Sequence, residues 1–254
     1  MPEASAPLAL VRMAGFLALT GAALTVGVGM LRLWRRSGQL PELLLGSHIL
    51  ILIAGYAFEF GGMLGQGVLG EGGAWALRAA GNLCYAVCIL SYLVFNWRVF
   101  RPQSRTAAVV TLACTAGLAV GFGGELLTGS FALVPERFAL PWFWIAYIPR
   151  LVTMGWAAGE GLGHWGRMRR RARLGIESPL LAHRFLLWGL AAASELAIYF
   201  VAGAALLSPT PTAFLVGLPA LLISALGVAG AATIYLAFLP PGFYRRWVLS
   251  GTDA

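Results

Sequence analysis

Seven long apolar runs dominate this sequence and limit the folds that it can adopt. They cover residues 8–31, 43–64, 75–97, 107–128, 139–163, 183–207 and 213–238. Each run is about as long as the roughly 20 residues that cross a bilayer as a helix. Because only helices and closed barrels satisfy their backbone hydrogen bonds in lipid, runs of this length predict transmembrane helices. We therefore expect an all-α, polytopic membrane protein, with one seven-helix transmembrane domain over residues 1–254.

The composition excludes several classes of protein. Apolar residues make up 59% of the chain and charged residues 11%, against about 45–50% and about 25% in soluble domains. This excludes a soluble enzyme, a disordered chain and a secreted disulfide scaffold. All 18 basic residues are arginine. Without a lysine, the chain cannot hold retinal through a Schiff base.

The arginines predict the orientation of the helices. Fourteen of the 18 follow the first, third, fifth or seventh span. Cytoplasmic connections are enriched in basic residues, so the N-terminus is expected outside and the C-terminus in the cytoplasm. The predicted location is the cell membrane, crossed several times, which is the inner membrane in a bacterium. Membrane lipids, rather than nucleic acid, are then the expected partners of these arginines. The three arginines predicted on the outer side are Arg12, Arg78 and Arg137.

A polar stripe runs along the third span. Asn82, Tyr85, Ile89, Tyr92 and Asn96 follow one another at intervals of three or four residues. This spacing places them on one helix face. We expect a central helix whose Asn82 and Tyr92 side chains face protein rather than lipid. Such a stripe indicates either hydrogen bonds that hold helices together or the wall of a pore or ligand site.

Ionisable residues within the spans are the other candidates for a site. They are costly in hydrocarbon, at ~2.5 kcal/mol or more each, and they usually face the bundle interior. Arg150 and Glu195 fall at a similar depth and predict a charge pair, either structural or functional. Glu59 and Glu125 lie near outer span ends and, with neighbouring polar side chains, predict a net acidic cavity that opens outward. The candidate ligand or ion pathway comprises Glu59, Asn82, Tyr85, Tyr92, Glu125, Arg150, Glu195 and Tyr199, and an inner polar cluster comprises His48, Asn96 and Glu160.

Two segments resemble a known group of proteins. Residues 171–189 (RARLGIESPLLAHRFLLWG) and 236–247 (LAFLPPGFYRRW) are similar to the ends of bacterial seven-helix membrane sensor-type modules. The resemblance implies helices coupled to cytoplasmic signalling domains. We expect no such output domain after the seventh span of this chain. Signalling therefore implies a separate cytoplasmic partner at the arginine-rich inner connections.

Three functions remain open on the sequence alone. The first is a receptor or sensor module that binds a small or lipidic ligand within the helix bundle. The second is a small proton-linked transporter or carrier, which the polar stripe and the intramembrane acids favour. An intramembrane enzyme is disfavoured, because the sequence shows no nucleophile–base set and no metal-ligand pattern. We predict no catalytic residue, no metal site and no cofactor.

Overall fold

The computed structural model of the protein describes residues 6–131, 135–208 and 217–250, and this part of the chain is all helical, without strands. The described helices include seven long ones and two short ones. The long helices are α1 Ala6–Ser37, α2 Leu40–Leu64, α3 Gln66–Phe95, α4 Arg105–Thr128, α6 Pro141–Arg173, α7 Pro179–Leu206 and α8 Gly217–Phe238. The short helices are α5 Pro135–Ala139 and α9 Gly242–Ser250, and a π-helical turn, Asn96–Phe100, follows α3.

Five of these helices are long and apolar enough to cross a membrane. They are α2, α3 together with its π-helical turn, α4, α7 and α8. The chain is therefore a multi-pass membrane protein by the length and composition of its helices. Helix α6 is not among the five, and it carries Arg150 and Glu160 in its apolar part. Helix α1 is not among them either.

Several helices extend beyond the predicted spans, and α6 extends furthest. It continues to Arg173, whereas the predicted span ends at residue 163. Hydropathy identifies apolar runs, so it does not detect a helix that continues through polar residues. Gly175, at a φ of 70°, ends the helix, with Ile176 N donating to Arg171 O at 3.0 Å. This is the left-handed cap that glycine favours.

The structure also forms a helix after the last predicted span. This short helix, α9, covers Gly242–Ser250. The start of the seventh predicted span, residues 213–216, lies outside the described residues.

The packing divides the chain into two compact units. The first unit comprises the described residues of Met1–Val26, Met154–Ala202 and Leu215–Ala254. The second unit comprises the described residues of Gly27–Thr153 and Gly203–Phe214. Each unit is described by itself below.

Close helix contacts in the second unit are made at glycines. A Cβ atom at Gly81 in α3 would lie 3.0 Å from the carbonyl oxygen of Gly55 in α2. A Cβ at Gly121 in α4 would lie 2.7 Å from the backbone nitrogen of Ala146 in α6. Small residues permit such approach between membrane helices. They bring α2 against α3 and α4 against α6. The polar side chains that these helices carry are thereby brought close to one another.

The first unit contains a similar contact between α6 and α7. A Cβ atom at Gly161 would lie 2.7 Å from the Cα of Gly189. One turn further along α6, the His164 ring stacks on the Phe185 ring, with 5.2 Å between their centroids. The two helices therefore pack backbone against backbone at this level.

Candidate functional site

The polar stripe of the third span lies on the buried face of α3 and its π-helical turn. Asn82, Tyr92 and Asn96 expose 5%, 4% and 0% of their surface. On the other face, Leu83 and Val87 expose 48% and 38%. The burial that the spacing predicts for Asn82 and Tyr92 is therefore confirmed. What the stripe does is decided by the partners of its side chains.

Asn82 belongs to a buried network whose basic member, Arg137, the sequence did not predict. Arg137 Nε donates to Glu125 Oε1 at 2.7 Å, and Arg137 Nη2 donates to Asn82 Oδ1 at 2.7 Å. Asn82 Nδ2 in turn donates to Glu59 Oε2 at 3.4 Å. We call these four residues the Arg137 cluster. It connects the end of α2, the first half of α3, the end of α4 and the short helix α5 through side chains alone.

The connection that follows α4 packs against α3 before the chain reaches Arg137. Helix α4 ends at Gly129, whose φ of 68° turns the backbone, and Gly129 O accepts from Trp75 Nε1 at 3.2 Å. Phe131 follows with no exposed surface and contacts the Trp75 ring, with 5.6 Å between centroids. Arg137 Nη1 donates to Phe131 O at 3.5 Å. These contacts bring the guanidinium to the acids on α2 and α4.

Arg137 is the functional residue that sequence reasoning missed. It was assigned to an outer connection, yet it exposes only 4% of its surface and Glu125 exposes 3%. One signal was available. The connection between the fourth and fifth spans carries a single arginine, close in sequence to an intramembrane glutamate, and buried charges in membranes usually pair.

The pairing with Arg137 also corrects the expected charge of the cavity. Glu125 is neutralised by Arg137 rather than facing an acidic space. Glu59 is in addition attracted electrostatically by Arg78 and Arg150. Two acids, Glu59 and Glu125, stand with three bases, Arg78, Arg137 and Arg150, so the group is not acidic. These residues therefore do not form a net acidic cavity.

Glu59 and Arg150 each keep a buried polar atom without a partner. Glu59 Oε1 and Arg150 Nε are both buried, and neither has a hydrogen-bond partner among the residues that the structure describes. The Arg150 guanidinium lies over the Tyr85 ring, 5.6 Å from its centroid. The Tyr85 ring meets that of Tyr56 edge to face, also at 5.6 Å. We call Glu59, Tyr56, Tyr85 and Arg150 the Glu59–Arg150 site.

Close packing of α2 against α3 positions Tyr85, one of the two tyrosines of this site. Tyr85 Cε1 lies 2.7 Å from the position that a Cβ would take at Gly55. Arg150 follows Pro149 in α6, and Thr153 Oγ1 donates to the Pro149 carbonyl at 2.6 Å. Since proline removes one backbone hydrogen bond of the helix, α6 is irregular at the residue that bears the charge.

Two members of the predicted inner cluster lie in the second unit. His48 Nδ1 lies 2.8 Å from the carbonyl oxygen of Cys88, and its ring centroid lies 4.5 Å from that of Tyr92. Asn96 Nδ2 donates to Thr153 O at 3.2 Å. Both side chains thus link neighbouring helices, in agreement with the stabilising role that polar groups have in membrane bundles.

The remaining predicted residues lie in the first unit. Glu160 Oε1 accepts from Trp156 Nε1 at 3.3 Å, and Glu160 Oε2 lies 3.8 Å from His164 Nδ1. Glu195 Oε1 accepts from the Tyr199 hydroxyl at 3.5 Å. Because Glu195 and Arg150 belong to different units, their pairing stays a prediction.

The comparisons with known proteins add no relative. Neither a scan against family models nor searches of curated proteins and of solved structures find a match to this chain. Among the described residues, no three histidine, cysteine, aspartate or glutamate side chains are grouped to hold a metal ion. The chemistry of the Glu59–Arg150 site and the Arg137 cluster is therefore the basis for assigning a function.

Proposed function

We propose that this chain is a membrane receptor or sensor module that binds a small ligand in its helix bundle, at the Glu59–Arg150 site. In this proposal α1 and α6 also cross the membrane, which makes seven spans in one domain. The N-terminus is outside and the C-terminus in the cytoplasm of a cell membrane, because 14 of the 18 arginines then lie inside.

One observation carries the proposal. An acid and a base in the same unit, Glu59 and Arg150, each bury a polar atom that lacks a hydrogen-bond partner in the described structure. Leaving such an atom unpaired costs about 1–3 kcal/mol, and more when the group is charged. A ligand that pairs with both atoms removes this cost, and its removal contributes favourably to the free energy of binding.

The two groups define the ligand by its chemistry. Glu59 Oε1 requires a donor, such as an ammonium or a hydroxyl group. Arg150 Nε requires an acceptor, such as a carboxylate or a carbonyl group. The Tyr56 and Tyr85 rings, which are in edge-to-face contact, favour a cationic or apolar portion beside them. A small zwitterionic or hydroxylated molecule meets all of these requirements.

The path from ligand to output follows α6. This helix carries Arg150 next to Pro149 and extends to the run of arginines that ends at Arg173. A ligand that contacts Arg150 therefore binds to the same helix that presents these arginines to the proposed cytoplasmic partner.

A ligand screen tests the proposal. The full chain, purified in detergent, is unfolded thermally in the presence of zwitterionic and hydroxylated probes: the standard amino acids, betaine and simple sugars. We expect at least one probe to raise the melting temperature of the wild type. The shift should disappear in Glu59→Gln and in Arg150→Gln. It should persist in Glu71→Gln and Arg105→Gln, which change exposed residues.

A proton-linked carrier is the second candidate. Glu59 stands at the end of the hydrogen-bonded path through Asn82 and Arg137 to Glu125, and a carboxylate in such a position can take up a proton. Uptake of the screened probe into proteoliposomes, driven by a pH gradient and abolished by Glu59→Gln, would favour the carrier. Binding without flux would favour the sensor.

A further inference from the structure

A cavity lies in the first unit, where α6 ends and α7 begins. Its volume is about 660 Å³, and its lining includes Trp165, Arg169, Arg173, His183 and Trp247. This volume falls within the ~300–1,000 Å³ of typical small-ligand pockets. The cavity lies at the arginine-rich end of α6 and has no residue in common with the Glu59–Arg150 site.

The charge of the cavity favours an anion. Arg169 and Arg173 line it, and none of the described residues that line it is acidic. The nearby Glu177 is held by Arg171, with 3.1 Å between Nη2 and Oε1. Pro179, the first residue of α7, is also part of the lining. Pro179 has no N–H, and the amides of Leu180, Leu181 and Ala182 donate to Ser178. The positive charge of the lining therefore comes from its arginines.

The other walls of the cavity are aromatic and apolar. The Arg169 guanidinium lies 5.5 Å from the centroid of the Trp165 ring. His183 Nδ1 lies 3.3 Å from the Tyr244 hydroxyl, and the His183 ring meets the Trp247 ring edge to face at 5.9 Å. A free inorganic anion would gain nothing from these indole faces. They suit the glycerol and upper acyl carbons of an amphiphile.

Helix α9 places the cavity at a membrane surface. Val248 is 5% exposed, while Phe243 and Trp247 are 66% and 63% exposed. Arg245 and Arg246 lie between those two aromatic residues. Exposed aromatic and basic residues on a short helix are typical of a helix that lies in the headgroup layer.

We propose that this cavity binds the phosphate-bearing headgroup of an anionic phospholipid. Arg169 and Arg173 donate to the phosphate oxygens, and Trp165 and Trp247 contact the glycerol and acyl carbons. Basic pockets between membrane helices recognise anionic headgroups in this way. The site is independent of the ligand proposed for the Glu59–Arg150 site.

Competition between lipids tests the proposal on the unmodified protein. The full chain is purified in detergent and mixed with equal amounts of phosphatidylglycerol and phosphatidylcholine of the same acyl chains. Native mass spectrometry then counts the lipids that stay bound. We expect phosphatidylglycerol to be retained in preference. Equal retention of the two lipids would overturn the proposal. So would inorganic phosphate that displaces phosphatidylglycerol, because the ligand would then be a soluble anion.

Two matched double variants locate the binding. Arg169→Gln with Arg173→Gln removes the two charges of the cavity. Arg167→Gln with Arg170→Gln removes two charges from the same helix segment but from residues outside the lining. We expect the first pair to weaken phosphatidylglycerol binding about thirtyfold, or about fivefold for each arginine. The second pair should change it by less than about threefold. Equal losses would mean that surface charge alone attracts the lipid, and the cavity assignment would fail.

Discussion

The Nε atom of Arg137 lies 2.7 Å from Oε1 of Glu125, and both side chains are almost completely buried. This pair joins the short helix α5 to the end of α4, and its second guanidinium bond reaches Asn82 on α3. Two full charges in an apolar interior stay there only as a pair. The path of the connection before α6 is thus set by an ion pair.

Removing one charge of this pair should destabilise the protein more than removing both. Arg137→Gln and Glu125→Gln each leave an unpaired buried charge, which costs about 3–5 kcal/mol. The double variant should lose less than the sum of the two single losses. Reversible unfolding of the purified protein in mixed micelles, followed by circular dichroism, measures the three free energies.

The control for this cycle is Arg105→Gln, which changes an exposed arginine at the start of α4. Its free energy of unfolding should stay within about 0.5 kcal/mol of the wild type. Strictly additive effects of Arg137→Gln and Glu125→Gln would contradict the pairing.

Glu59→Gln should leave stability unchanged or raise it by up to about 1 kcal/mol. The substitution keeps the shape of the side chain and its bond with Asn82, while it removes a charge whose second oxygen has no partner in the described structure. Residues of binding sites often lower the stability of a protein in this way. The same unfolding measurement without ligand checks the prediction. A loss above about 2 kcal/mol would instead assign Glu59 a structural role.

Substitution by alanine should have opposite effects on stability at two glycines of α6 that lie two residues apart. Gly161→Ala places a Cβ 2.7 Å from the Cα of Gly189, and overpacking of this kind costs about 1–3 kcal/mol. Gly159→Ala meets no atom within 4 Å. Because alanine favours the helix over glycine, that variant should gain up to about 1 kcal/mol. Melting temperatures of the two variants in one detergent give the comparison. Equal shifts would contradict the α6–α7 contact.

The proposed orientation predicts which single cysteines a membrane-impermeant maleimide reaches in intact cells. With Cys84, Cys88 and Cys114 replaced by alanine, Glu71→Cys should be labelled from outside. Gln103→Cys should be labelled only after the cells are opened. Both positions are exposed, so accessibility within the protein does not limit the reaction. Labelling of Gln103→Cys in intact cells would reverse the orientation.

The local sequence pattern was sufficient to predict the helices and the buried face of α3. A run of about 20 apolar residues has few alternatives to a membrane helix, and the predicted spans fall on the seven long helices wherever the structure describes them. The spacing of Asn82, Tyr92 and Asn96 identified one face because helix geometry relates residues three and four apart. The polar end of α6 could not be predicted in this way, since hydropathy does not detect a helix that continues through polar residues.

The sequence by itself determined the helices and which side of α3 turns away from lipid. Only the tertiary structure decided the partners of the charges. Arg137 and Asn82 are 55 residues apart, so their contact depends on how the chain turns at Gly129 and on the glycine contacts that pack α2 against α3 and α4 against α6. Periodicity relates neighbours within one helix, whereas an ion pair between helices depends on their relative position. For that reason Glu125 was recognised as an intramembrane acid, and its partner Arg137 was placed at the surface.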